Sequence, residues 1–78
     1  MANFDISARG RERAKLKKRG EKFHEWRILK GFSREFLAKE AGVSSKTIYN
    51  LEQGKRVSNS LIYHLEVMSC PQSVLFPE

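Results

Sequence analysis

The chain has 78 residues, one cysteine and a formal net charge of +6. That length holds one small domain with little margin for a core, and the lone Cys70 excludes an internal disulfide; no Cys/His metal spacing, paired carboxylates or nucleophile-base pair occurs, so no metal, cofactor, small-molecule ligand or enzymatic activity is expected. No apolar run reaches the length of a membrane span, and the basic N-terminus is not followed by an apolar signal core, so a soluble, unprocessed, cytoplasmic protein is expected.

Residues 1 to 22 carry Arg9, Arg11, Arg13, Lys15, Lys17, Lys18, Arg19 and Lys22 against Asp5, Glu12 and Glu21, a net +5, which leaves only +1 for the rest of the chain. Phe4, Ile6, Ala8, Ala14 and Leu16 do not sustain a helical period. This predicts a basic N-terminal arm over residues 1–20, flexible or helical on binding, with joints at Gly10 and Gly20. Arg9, Arg11, Arg13, Lys15, Lys17, Lys18 and Arg19 are its candidate contacts with a polyanion; the plain alternative is a solvated tail that aids solubility. Arg9-Gly10-Arg11 has the centre of an AT-hook without the flanking prolines. An Arg-rich arm entering a narrow minor groove needs no such motif.

From Glu21 the pattern becomes helical. Phe23, Trp26 and Arg27 define a first helix of about residues 21–30, ended by Gly31. Ser33 can cap a second helix, about 34–41, whose inward face is Leu37 and Ala41, with Ala38 small where another helix crosses. Gly42 can take the left-handed conformation that turns the chain. Ser44 then caps a third helix, about 45–53, with Val43 and Ile48 as a hydrophobic staple, Ile48 and Leu51 as the inner seam, and Gly54 as its stop. One of Ser58, Asn59 or Ser60 caps a fourth helix, about 59–69, with Leu61, Ile62, Leu65 and Met68 inward. Pro71 suits the first turn of a short fifth helix, 72–76. His24 and His64 are expected on exposed sides of the first and fourth helices.

Two short helices around a Gly-bearing turn read as a helix-turn-helix. The outer face of the third helix, with Ser45, Lys46, Tyr49, Asn50 and Gln53, is rich in donors and fits a major groove; the alternative is a merely solvated face. Lys46 can donate to guanine O6 or N7, and Ser45 to a base or a phosphate. Tyr49 can stack on a thymine methyl or donate to a phosphate. Asn50 can pair with adenine or reach the backbone, Thr47 lies toward the phosphate flank, and Lys55 and Arg56 can clamp the backbone.

Trp26-Arg27, Gly31-Phe32-Ser33, Leu37-Ala38, Gly42-Val43-Ser44, Thr47-Ile48 and Glu52-Gln53-Gly54-Lys55-Arg56 stand at the spacing of the Cro/C1-type (Xre-like) helix-turn-helix family, and residues 23 to 76 resemble it. The resemblance implies an all-α fold, a compact five-helix λ-repressor-like domain over residues 21–78 behind the basic arm. It implies a semi-buried salt bridge between Arg27 and Glu52 that fixes the angle of the third helix. It places Arg34 against the DNA backbone and, in some members, against a base edge, although most members carry Gln where Arg34 stands; Ser44 is a further candidate for a backbone contact. It suggests a dimer interface at Val74, Leu75 and Phe76, which exceed what one short helix buries. Ile28 and Leu29 depart from the family's polar residues there; either they receive a folded-back arm, or they widen the core around Trp26. The loop after Gly54 is about two residues short and lacks the usual proline.

By analogy, the resemblance points to a sequence-specific double-stranded DNA-binding transcriptional regulator, a small homodimeric repressor on a palindromic operator, of the kind found in phages, mobile elements and restriction-modification controllers. The alternative is a protein-interaction module of the same fold, an antitoxin or coactivator bridge, binding nucleic acid nonspecifically through the arm. A nucleic-acid enzyme lacks any catalytic constellation.

Overall fold

A computed structural model describes the backbone of residues 2–77 and the side chains of residues 10–77. The side chain of Arg9 therefore lies outside the described residues. The fold is all-α. In chain order the helices are α1 (Ala2–Lys30), α2 (Arg34–Ala41), α3 (Ser45–Glu52), α4 (Asn59–Val67) and α5 (Gln72–Leu75).

Local chemistry accounts for the boundaries. The hydroxyls of Ser33, Ser44 and Ser58 accept from the backbone N–H of Phe36, Thr47 and Leu61, each three residues on, and so satisfy donors that the first helical turn leaves open. Gly42 ends α2 at φ 71°, and the amides of Gly42 and Val43 bond back to the carbonyls of Lys39 and Ala38. This Schellman closure caps the last turn. Helix α4 closes with the same pattern, the amides of Ser69 and Cys70 returning to Glu66 and Leu65, but its left-handed residue is Ser69 at φ 72°. That is why α4 stops at Val67 rather than at the predicted Ser69.

The buried apolar residues form one cluster. Phe23 and Trp26 come from α1, Leu37, Ala38 and Ala41 from α2, Ile48 and Leu51 from α3, and Leu61, Ile62 and Leu65 from α4, with Cys70 and Leu75 closing it. Trp26 lies edge-on to Phe32 at 5.8 Å, a favoured aromatic geometry. Burial pushes the Cys70 thiol up to about 12, which keeps it a protonated, inert core residue at neutral pH.

The predicted division at residue 20 is not seen. Helix α1 is continuous for 29 residues, and at 1.5 Å per residue it runs about 43 Å, the full 44 Å long axis of the molecule. Lys, Arg, Glu and Ala between residues 11 and 19 tolerate a helix well. Tertiary contact supplies what their weak periodicity lacks: Leu16 and Arg19 are half-buried, and Arg56 pairs with Glu12. Gly20 is no joint. It is buried where α1 crosses the end of α3, and a Cβ there would stand 2.5 Å from the Glu52 carbonyl oxygen and 2.7 Å from that of Leu51. Gly54 makes the reciprocal approach, its Cβ direction ending 2.9 Å from the Lys17 Cα.

Neither expectation for Ile28 and Leu29 holds. Both are exposed at the end of α1, because the helix runs straight past them and the residues before Gly20 do not fold back. Leu75 is not available to a partner either: it is 1% exposed and packs in the protomer core with Val74 against the cluster, while Phe76 is exposed.

The two helical glycines make opposite predictions. Gly20→Ala forces the α1–α3 crossing apart and is expected to cost about 1–3 kcal/mol, as overpacking does. Gly10, with open space around its Cβ direction, should gain about 0.5–1 kcal/mol on mutation to Ala through helix propensity. Urea unfolding followed by circular dichroism checks both; equal effects would mean that α1 does not cross α3 as described.

Candidate nucleic-acid interface

Helix α3 buries Ile48, Leu51 and Glu52 and leaves Ser45, Lys46 and Tyr49 exposed, with Gln53 exposed just beyond its end. The 3.6-residue period separates the two faces. Among the candidate base readers, Ser45 and Lys46 stand exposed at the start of this face, Tyr49 stands one turn on, and Asn50 is half-buried beside it. Ser44 has its hydroxyl committed to the cap and 3.0 Å from the Thr47 hydroxyl. Thr47 is half-buried on the flank and Lys55 is exposed beyond the helix end.

Glu52 anchors this face. Arg27 Nε donates to its Oε2 at 2.9 Å, His24 Nδ1 to the same oxygen at 2.8 Å, and Arg34 Nε to Oε1 at 2.5 Å. Because an ionised carboxylate only accepts, the His24 proton sits on Nδ1. The 3.5 Å approach of Arg27 Nη2 to that nitrogen is therefore a close pass of two donors, not a bond. Arg27 Nη1 also donates to the Phe32 carbonyl at 2.8 Å, tying α1 to the α1–α2 loop. Burial works to raise the Glu52 pKa, and the bonds from Arg27, Arg34 and His24 overcome it, so the carboxyl is held below its ordinary value.

Sequence reasoning paired Arg27 with Glu52 and missed the other two donors. His24 could have been found, since it lies three residues from Arg27 and shares its face of α1. It is on an exposed side, as expected, yet its ring reaches Glu52. Arg34 had no such signal. Expected at the DNA backbone, it places its Nε on Glu52 and its guanidinium carbon over the Tyr49 ring, 5.2 Å from the centroid.

The basic stripe also differs from a free arm. Arg11, Arg13, Lys15 and Lys17 are exposed on α1, whereas Arg19 is half-buried, with a buried Nε that has no partner among the described residues. Arg56 pairs with Glu12 rather than standing free. Lys18 is exposed on the same helix.

A family model described as helix-turn-helix matches residues 23–66, more than half of the chain. The chain belongs to the Cro/C1-type helix-turn-helix family. No curated protein and no solved structure matches it. Membership makes it a DNA-binding helix-turn-helix regulator acting on double-stranded DNA, in a family that is not enzymatic. Among the described residues no helix is long and apolar enough to cross a membrane.

The Glu52 site predicts a pH dependence with a definite sign. Its folded pKa is depressed, so below the ordinary value of 4.5 the unfolded chain binds protons that the folded chain refuses, and stability falls with pH. The melting temperature should be insensitive to this group above pH 4.5 and drop as the pH falls from there toward the folded value. Glu52→Gln should remove that component of the acid profile; an unchanged profile would show Glu52 to be ordinary.

Proposed function

We propose that the protein is a sequence-specific transcriptional repressor that binds a palindromic operator as a homodimer, with α3 in the major groove. The observation that carries this reading is the sorting of α3: its inner face is locked to α1 and α2 through Ile48, Leu51 and Glu52, while Ser45, Lys46 and Tyr49 stand exposed. A helix packed along its inner face, with donors on its free face, suits base-edge readout. Phosphate contacts from the exposed Arg11, Arg13, Lys15, Lys17 and Lys55 add affinity without sequence choice. Of the pairing surface inferred from sequence, the exposed Phe76 is the part a second protomer can reach.

Selection from a random duplex pool tests the reading directly. A palindrome with half-site centres about 34 Å apart is expected, and Lys46→Ala should weaken binding to it by about 1–3 kcal/mol while relaxing one base position per half-site. Recovery of no preferred sequence would leave a nonspecific binder. Sedimentation should show a dimer that Phe76→Asp dissociates; a persistent dimer would move the interface to another exposed apolar group.

Replacing Arg11, Arg13 and Lys15 together by Gln keeps α1 helical and tests its charge. The slope of log affinity against log salt should flatten by up to about 0.9 for each phosphate that is no longer neutralised, with base preference retained. An unaltered slope would mean that this half of α1 never touches DNA.

A further inference from the structure

Helix α5 packs against α1, and the chain around it leaves a groove along the first helix. Two hollows of about 540 and 660 Å³ share Phe76 and Pro77. Their apolar lining is the half-buried Leu16, Leu75 beneath it and the exposed Phe76; their polar lining is a row of cations from α1, Lys15, Lys18, Arg19 and Lys22. Among the described lining residues the one carboxylate, Glu12, is paired with Arg56. Lys18 and Lys22 stand two residues to either side of Gly20, about 200° around the helix from it, and Gly20 faces the end of α3. This wall of α1 is therefore turned away from the α3 crossing.

Arg19 is the group that the fold leaves incomplete. It is half-buried, its Nε is shut off from water, and that donor has no acceptor among the described residues. Burial lowers its pKa, with no anion to oppose the shift. Buried donors are normally bonded, and a guanidinium is satisfied best by a carboxylate. An apolar surface beside the cation keeps water from such a pair, and Arg with exposed aromatic groups is a combination in which protein interfaces are enriched. Duplex DNA binds through its phosphates by charge and makes no use of an apolar wall. A second copy does not fit the charge: the chain carries 15 Lys and Arg against 9 Asp and Glu, and so brings positive charge to a positive groove.

We propose that this groove docks an acidic segment of a partner protein, with a carboxylate on Arg19, further carboxylates along Lys15, Lys18 and Lys22, and an apolar side chain against Leu16 and Phe76. The site is separate from the exposed face of α3 and does not depend on what that face reads. Docking itself needs no dimer. Phe76 is also the group that a second protomer can reach, so on the homodimer reading the segment and the second protomer compete for it.

The test uses the full chain. A library of random linear peptides is selected on the folded protein, and the recovered sequences are synthesised as probes. They should be rich in Asp and Glu around a Leu, Phe or Trp. In amide NMR spectra a probe should shift Leu16, Arg19, Leu75 and Phe76 and leave Ser45, Lys46 and Tyr49 unmoved, and added salt should weaken it. Arg19→Gln should weaken the probe about tenfold, as loss of a charge-assisted bond does. The same variant should not lower the melting temperature, because it removes a desolvated charge that has no partner. Phe76→Ala should also cost about tenfold, whereas Lys46→Gln should leave the probe's affinity unchanged.

Probes that bind Arg19→Gln and wild type alike, or that shift the exposed face of α3 instead, overturn the proposal. So does a library that yields no acidic sequence. If the amides of Leu16 and Arg19, and not Phe76 alone, shift as the protein is concentrated without a probe, the occupant is a second copy. If a single-stranded oligonucleotide shifts them and displaces the probe, the occupant is nucleic acid. Either result overturns docking of an acidic protein segment.

Discussion

Glu52 is the last residue of α3 and Arg34 the first of α2, so each charge stands at the end of its own helix where the helix dipole opposes it. Glu52 is also almost wholly withdrawn from water. Three donors from two helices, His24 and Arg27 on α1 and Arg34 on α2, offset both penalties at once. Removing one partner of such a group commonly costs about 3–5 kcal/mol, because the remaining charge stays buried without compensation. For a domain of this size that is a large share of the total stability. The arrangement of α1, α2 and α3, and with it the presentation of the exposed face of α3, depends on this one carboxylate.

The same crossing explains the long first helix. Gly20 lets the α1 backbone meet the last carbonyls of α3, and Gly54 lets the following turn meet Lys17. Once those backbones touch, residues before Gly20 have a surface to continue along, with Leu16 half-buried and Glu12 paired to Arg56. A segment of strong positive charge is thereby carried on a continuous helix rather than on a separate arm. Its phosphate contacts, in the proposed complex, would be set by the direction of α1.

The C-terminal segment shows how a small core draws on every apolar group within reach. Leu75 and Cys70 close the cluster that Phe23, Leu61 and Leu65 begin, because one long helix and four short ones enclose little volume and each large side chain matters. Apolar excess in a short helix thus served the protomer first. What it leaves for association is Phe76 at the surface, alongside Ile28, Leu29, Tyr63 and Val67 elsewhere.

Local rules carried much of this from the sequence alone. Ser33, Ser44 and the Ser58–Ser60 group announced three helix starts, Gly31, Gly42 and Gly54 three helix ends, and the spacing of Ile48 and Leu51 separated the buried from the free face of α3, because capping and periodicity act within a few residues. The pairing of Arg27 with Glu52, 25 positions apart, was legible only through the family pattern. The placement of Arg34 between Glu52 and Tyr49, the donor from His24, the continuity of α1 through Gly20 and the burial of Leu75 were decided by tertiary structure. Each depends on the angle and distance at which two helices cross, and those are set by the packing of the whole core, which no local stretch of sequence contains.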